Sequence, residues 1–218
     1  MSDLMRKNFM EADSSEYEQI RLACDEIKNV EGLVLEIGTR LGAGIFNAME
    51  GCAANDDAKN RFFMGVDPYG GIAYKHGELS APARKGEQIS SSTNYDLGMM
   101  NTFLANIYLY CEDQNLHYNH YTLEDSEFMR IYKDGVIIYD DYKKIINEYA
   151  LVIVDGPHDI ESVKSETIFF KDRLNSGGVL VYDDVADYDH QLIDDILIKE
   201  DNFVRLASGR RKITYKKQ

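Results

Sequence analysis

Tryptophan is absent from this chain of 218 residues, and proline and cysteine occur three times each. Cys24, Cys52 and Cys111 are far apart, odd in number and in no C-x-x-C arrangement. Neither a disulfide framework nor a zinc knuckle is indicated, and a reducing compartment fits best. No apolar run approaches the ~18 residues of a membrane span, and residues 1–7 lead into an acidic segment without the apolar stretch of a secretory signal. The expected location is therefore cytoplasmic. Basic residues are scarce too: 24 Lys and Arg against 38 Asp and Glu leave a net charge of −14. Such a charge repels phosphate backbones and anionic lipid surfaces, so nucleic acid and membrane are not expected partners. The length suits one domain over residues 1–218, with 15 tyrosines and 9 phenylalanines as its aromatics.

What is present alternates between two periods. Residues 1–31 read as an N-terminal helical extension, its helix over 15–30 having Ser15 and Glu18 spaced as a capping box and Tyr17, Ile20, Cys24 and Ile27 at helical spacing. Residues 32–37 (GLVLEI), 62–66 (FFMGV), 150–154 (ALVIV) and 178–182 (GVLVY) are short apolar runs, as strands buried on both faces of a parallel sheet require. Residues 117–122 suit a further strand. Between the runs lie helical patterns, at Leu97, Met100, Leu104, Ile107 and Cys111, and at Ile160, Val163, Thr167, Phe170 and Leu174 with Asp159 as cap. Strand and helix in alternation predict an α/β, Rossmann-like doubly wound sheet with helices on both faces. After a polar helix from about Tyr188, residues 202–216 around Ser208-Gly209 predict an antiparallel C-terminal hairpin. Residues 69–93 are polar and long enough to be disordered or to form a mobile lid or acceptor loop, and residues 131–142 hold a short strand candidate at Val136-Ile137-Ile138.

Ligands of doubly wound sheets bind beyond the carboxyl ends of the strands, which singles out the residues after each apolar run. Glu36 begins the turn Glu36-Ile37-Gly38-Thr39-Arg40-Leu41-Gly42-Ala43-Gly44, whose glycines allow a ligand close to the backbone, or simply a tight strand-to-helix turn. Asp67, at the next tip, is placed to accept hydrogen bonds from ribose hydroxyls or to cap its own loop. Asp125 and Ser126 could contact an adenine edge or merely start a helix. Asp155, Asp183 and Asp184 end two strands, and three carboxylates there suit a hard divalent cation as well as a solvated acidic rim. His158 is near enough to Asp155 to act as a base at neutral pH, or to hydrogen-bond at a helix start.

These motifs resemble class I S-adenosylmethionine-dependent methyltransferases, in particular the metal-dependent O-methyltransferases of macrolide sugars and, more remotely, catechol O-methyltransferase. LEIGTRLGAG is similar to the family's cofactor loop, VDPYG to its ribose-binding strand end and LEDSEF to its adenine-side segment. VDGPHDIESV followed by LNSGGVLVYDDV resembles its metal and base region. The resemblance implies seven strands with the last antiparallel. It implies S-adenosylmethionine held by Glu36, Gly38, Thr39, Arg40, Gly42, Gly44, Asp67, Asp125, Ser126 and Asp155. It further implies Mg²⁺ or another divalent cation on Asp155, Asp183 and Asp184, with His158 and Asp155 as catalytic groups. The expected acceptor is a small-molecule hydroxyl on a sugar or nucleotide sugar, and a homo-oligomer is compatible with the sequence. Two departures stand out: the glycines are spaced G-x-x-x-G-x-G, and Asp67 stands 31 positions after Glu36.

Other readings make different demands. A nicotinamide oxidoreductase would carry G-x-G-x-x-G after the first strand, and here the spacing differs. A metal-free methyltransferase or a non-catalytic S-adenosylmethionine-binding protein would share the fold without the metal chemistry. Lys75, His76, Arg84 and Lys85, basic residues in the 69–93 segment, could recognise an anionic acceptor or be solvated.

Overall fold

The computed structural model describes residues 14–69, 97–139 and 142–218. Most of the 69–93 segment, with Lys75, His76, Arg84 and Lys85, lies outside the described residues, as do residues 1–13 of the N-terminal extension.

Helix α1 (Glu18–Glu26) precedes β1 (Leu33–Ile37), α2 (Ala43–Ala54) and β2 (Phe62–Val66). Helix α3 (Leu97–Gln114), β3 (His117–Tyr121) and α4 (Asp125–Ile131) follow, then β4 (Val136–Tyr139), β5 (Lys143–Ile146) and β6 (Tyr149–Val154). The chain continues through α5 (Ile160–Arg173), β7 (Leu174–Tyr182), α6 (Gln191–Asp194), β8 (Phe203–Ser208) and β9 (Ile213–Lys217). Seven strands form one sheet in the order β3-β2-β1-β6-β7-β9-β8. The pairs from β3 to β7 are parallel, whereas β9 is antiparallel to both β7 and β8. The doubly wound sheet and its C-terminal hairpin are therefore as expected. Among the described residues no helix is long and apolar enough to cross a membrane.

Alternation along the strands feeds two cores. Val34, Phe63, Leu151, Ile153, Val179 and Val181 meet α1, α2 and α3 on one face. Leu33, Leu35, Met64, Val152, Val154 and Leu180 face α4 and α5 on the other. All five residues of β1 and all six of β6 are buried, which is why these runs show no polar alternation. The short strand at 136–139 pairs with β5 as a two-stranded ribbon outside the main sheet.

Three local expectations are corrected. The capping box does not form: α1 begins at Glu18 behind Tyr17, without a side-chain cap. Glu16 instead turns back at φ 61° and accepts the backbone N–H groups of Arg210, Arg211 and Lys212 at 2.9, 3.0 and 2.9 Å. In α3, Leu97 is 60% exposed, and the buried stripe runs through Met99, Phe103, Ile107, Tyr110 and Cys111. Aromatic volume, not aliphatic spacing, sets that face. Strand β7 starts at Leu174, earlier than the apolar run at 178–182 suggests, because Leu174 already has extended φ/ψ and pairs with Tyr149. Asp159 caps α5 as expected, accepting the Ser162 N–H at 3.3 Å.

Candidate active site

The chain leaves β1 toward β2 and β3, then returns to the other side of β1 as β6 and β7, so the order reverses between β1 and β6. A crevice opens at such a reversal, beyond the carboxyl ends of the strands. Register aligns the tips. Ile37 is opposite Val66 and Val154, and Val154 is opposite Tyr182. The next residues, Gly38, Asp67, Asp155 and Asp183, consequently form one row across the sheet.

Gly38 has φ 83°, and a Cβ there would collide with the backbone carbonyl of Asp155, so this glycine lets β1 and β6 close on one another. Glu36 is 1% exposed, and its Oε2 accepts the Ile45 N–H at 2.9 Å in the first turn of α2. A Cβ on Gly44 would overlap Oε1 of Glu36. Gly42, at the N-cap of α2 with φ 88°, lies against the Phe103 ring.

Asp67 is fully buried and accepts two backbone N–H groups, that of Arg40 at 2.9 Å and that of Tyr69 at 3.1 Å. It thereby fastens the β1–α2 turn to the end of β2. Thr39 Oγ1 lies 3.1 Å from the Tyr69 hydroxyl, which also donates to the Arg40 carbonyl. Arg40 and Tyr69 both have positive φ, at 44° and 43°. Such backbone is costly in a non-glycine residue and persists where surrounding contacts over-determine it. Burial raises the Tyr69 phenol, with the Asp67 charge adding to it.

Beyond β3, Asp125 is the first residue of α4, half-buried, beside exposed Ser126. Burial raises the Asp125 carboxyl, opposed by backbone N–H groups at its own helix start and reinforced by Glu124 and Asp159.

The tips of β6 and β7 hold the densest chemistry. Asp155, His158 and Asp184 each offer a donor atom, and these atoms all lie within 4.8 Å of one another. His158 Nε2 is 3.5 Å from Asp184 Oδ2. Asp183 does not join them. Its Oδ1 accepts the Asp184 N–H at 2.8 Å, and its Oδ2 accepts from Lys212 Nζ at 2.5 Å, with both side chains 1% exposed. Asp184 leaves extended geometry at φ 48° and so faces the other two. Its Oδ1 accepts from Arg211 Nη2.

Sequence reasoning passed over Arg211, Lys212 and Glu16. The signal was faint but readable: an Arg-Arg-Lys run stands at 210–212 in an acidic chain, on the hairpin beside the paired aspartates. Glu166 was also missed. It is fully buried behind Gly156, and neither carboxylate oxygen has a hydrogen-bond partner.

A family model described as a methyltransferase domain matches residues 35–185, more than half of the chain. No curated protein matches it in sequence. Among solved structures, the calicheamicin methyltransferase CalS11 is 12% identical with a TM-score of 0.60, over 92% of this chain and 78% of that one. A second structure of CalS11, described as a TDP-rhamnose 3′-O-methyltransferase, gives 11% identity and a TM-score of 0.55 over the same shares. The O-methyltransferase TomG from Streptomyces achromogenes, in complex with S-adenosylmethionine, is 9% identical with a TM-score of 0.57, over 100% of this chain and 91% of that one. At such identities the likeness is one of fold.

Proposed function

The chain belongs to the methyltransferase-domain family, and on that premise we propose that it transfers the methyl group of S-adenosylmethionine to a hydroxyl of a small molecule, a sugar or related compound. The observation that carries this reading is the convergence of Asp155, His158 and Asp184 just past the ends of the neighbouring strands β6 and β7, beside the point where the sheet order reverses. The structural likeness to CalS11 and TomG, both described as O-methyltransferases, supports the choice of a hydroxyl acceptor.

The cofactor would lie over the β1–α2 turn formed by Gly38, Thr39, Arg40, Gly42 and Gly44, with Glu36 beneath it. Asp67, at the tip of β2 and tied to the β1–α2 turn through the Arg40 and Tyr69 amides, would be the acceptor for the ribose hydroxyls. Asp125 and Ser126 would border the adenine. Methyl transfer from a sulfonium is an in-line displacement, so the protein's work is chiefly to hold oxygen, methyl carbon and sulfur in line. His158 would take the acceptor's hydroxyl proton, while S-adenosylmethionine would supply an electrophilic methyl group with a neutral thioether as leaving group. Asp184, 3.5 Å from His158 Nε2, would stabilise the resulting imidazolium.

The Asp155 and Asp184 carboxylate oxygens, this close together, fit a divalent cation by donor chemistry and leave His158 to take the proton, whereas the Asp183 carboxylate is held by Lys212. A cation on Asp155 and Asp184 would lower the acceptor hydroxyl's pKa and orient it. One observation favours a metal-free variant of the reaction: Arg211 already places positive charge on Asp184.

Calorimetric titration of S-adenosylhomocysteine into chelator-treated protein, followed by Mg²⁺, tests the reading. Saturable cofactor binding and a metal signal lost in Asp184→Ala are expected. Cofactor binding without any metal signal would select the metal-free variant, and absence of cofactor binding would overturn the proposal.

A further inference from the structure

Two adjacent aspartates end β7, and two adjacent cations open β9. Each aspartate meets one cation: Lys212 bonds Asp183 and Arg211 bonds Asp184. The two pairs differ in burial. Lys212 is 1% exposed, also donates to Ser14 Oγ at 2.6 Å, and lies over the Tyr17 ring at 4.8 Å. Separating it from Asp183 would strand a charge in the interior, which costs several kcal/mol, so that pair is permanent. The Arg211 side chain is 33% exposed and can reach solvent by rotating its own torsions. Its backbone stays fixed meanwhile, because its N–H bonds Glu16 and its carbonyl accepts the Val185 N–H at 3.1 Å. Its Nε is buried and lacks a hydrogen-bond partner, so the present seat does not satisfy the guanidinium fully.

We propose that Arg211 is a tethered cation on the Asp155, His158 and Asp184 cluster, and that a divalent ion must displace it from Asp184 in order to bind. The inference rests on the cation reading given above. One carboxylate oxygen of Asp184 faces His158 and the other is taken by Arg211, so metal and guanidinium draw on the same group. In the absence of metal Arg211 offsets the repulsion between Asp155 and Asp184. With metal bound, the guanidinium swings free beside the crevice, available to an anionic or hydroxyl-rich acceptor. The anchor is the N-terminal segment: Glu16, by accepting three consecutive amides, sets the turn that delivers both cations. Glu16 is held ionised below its usual range: burial opposes this, and those amides and Lys212 outweigh it.

Mn²⁺ binding to the full chain, followed by the electron paramagnetic resonance of the free aquo ion, reads the competition without any turnover assay. Arg211→Gln, in S-adenosylhomocysteine-saturated protein at low salt, should bind Mn²⁺ roughly two- to fivefold more tightly than wild type, the size expected when a partly exposed ion pair is removed. Arg211→Lys, which keeps the charge and the backbone bonds, should return the affinity toward wild type, and Asp184→Asn should lose it. Equal, measurable affinity in wild type and Arg211→Gln would overturn the competition and leave the cation reading standing. Weaker binding in Arg211→Gln would also overturn it, by making Arg211 part of the site's construction. No Mn²⁺ binding in either protein, with S-adenosylhomocysteine bound and circular dichroism unchanged, would overturn the cation reading and the competition together.

Discussion

Glu36 and Gly44 occupy complementary space: the carboxylate at the end of β1 fills the volume that a side chain on the first turn of α2 would need, and bonds the next amide, Ile45 N–H, at 2.9 Å. Position 44 is thus constrained by packing within the protein. Gly44→Ala should destabilise the fold by roughly 1–3 kcal/mol, the range for overpacking a filled interior. Urea unfolding checks this, and S-adenosylhomocysteine affinity should fall with it if, as proposed, the β1–α2 turn above Glu36 holds the cofactor. A variant as stable as wild type would show that Glu36 has room to move.

Asp67 is expected to matter twice, once for the turn and once for the cofactor. Asp67→Ala leaves the Arg40 and Tyr69 amides without their acceptor, at about 1–3 kcal/mol for each group that stays buried. Its S-adenosylhomocysteine dissociation constant should rise tenfold or more by calorimetry, with Asp67→Asn in between. An unchanged constant in Asp67→Ala would remove this residue from the ribose site.

The neighbours Asp183 and Asp184 should separate in their effects. Asp183→Ala abandons Lys212 in the interior and is expected to cost about 3–5 kcal/mol, the range for breaking a buried ion pair. Asp184→Ala should fold normally, bind S-adenosylhomocysteine with near wild-type affinity and lose methyl transfer. Equal stability of the two variants in thermal unfolding would contradict the assignment of Asp183 to the interior.

Burial lowers both His120 and His190 to about 4, against smaller opposing contributions from Asp67 and Asp194 respectively. Each is neutral in the folded protein at pH values where the unfolded chain is protonated. Between about pH 6.5 and pH 4 the unfolded state binds more protons, so stability falls as pH falls through that window. Urea midpoints measured from pH 7 to pH 4.5 should show the decline, and His190→Gln should reduce it. A flat profile would mean that these rings protonate freely in the native state.

Glu166 acts in the opposite sense. Its carboxyl is raised well above 4.5 by burial first, and then by Asp125 and Asp159. The folded state retains a proton that the unfolded chain releases above about pH 4.5, so this residue lowers stability as pH rises. Glu166→Gln should leave the melting temperature near pH 4.5 little changed and raise it at pH 8. An equal difference at both values would show that packing, not ionisation, governs the site.

The parallel strands and the polar residues at their tips could be anticipated because uninterrupted apolar runs and the polar residues that end them are local features, whereas the order of the strands in the sheet could not. The C-terminal hairpin was readable for the same reason, from the Ser208-Gly209 turn between two strand-like segments. The buried stripe of α3 was misjudged at Leu97 because helical spacing fits more than one face, and only contact with β3 and α2 selects Phe103 and Tyr110. The capping box at Ser15 failed against a partner almost two hundred residues away. No local pattern could weigh that competition.

Asp155, Asp183 and Asp184 read alike in the sequence, as three acids at two strand tips. The chain by itself determined that they end two strands, because they stand at the ends of runs that must be buried. Only the tertiary structure decided their different fates. Register brings Asp155 and Asp183 level, the positive φ at Asp184 turns that residue toward His158, and the returning hairpin supplies one cation to each adjacent aspartate. The physical reason is range: burial and backbone propensity act over a few residues, whereas the partner of a charge is whichever opposite charge the folded chain brings within ~4 Å.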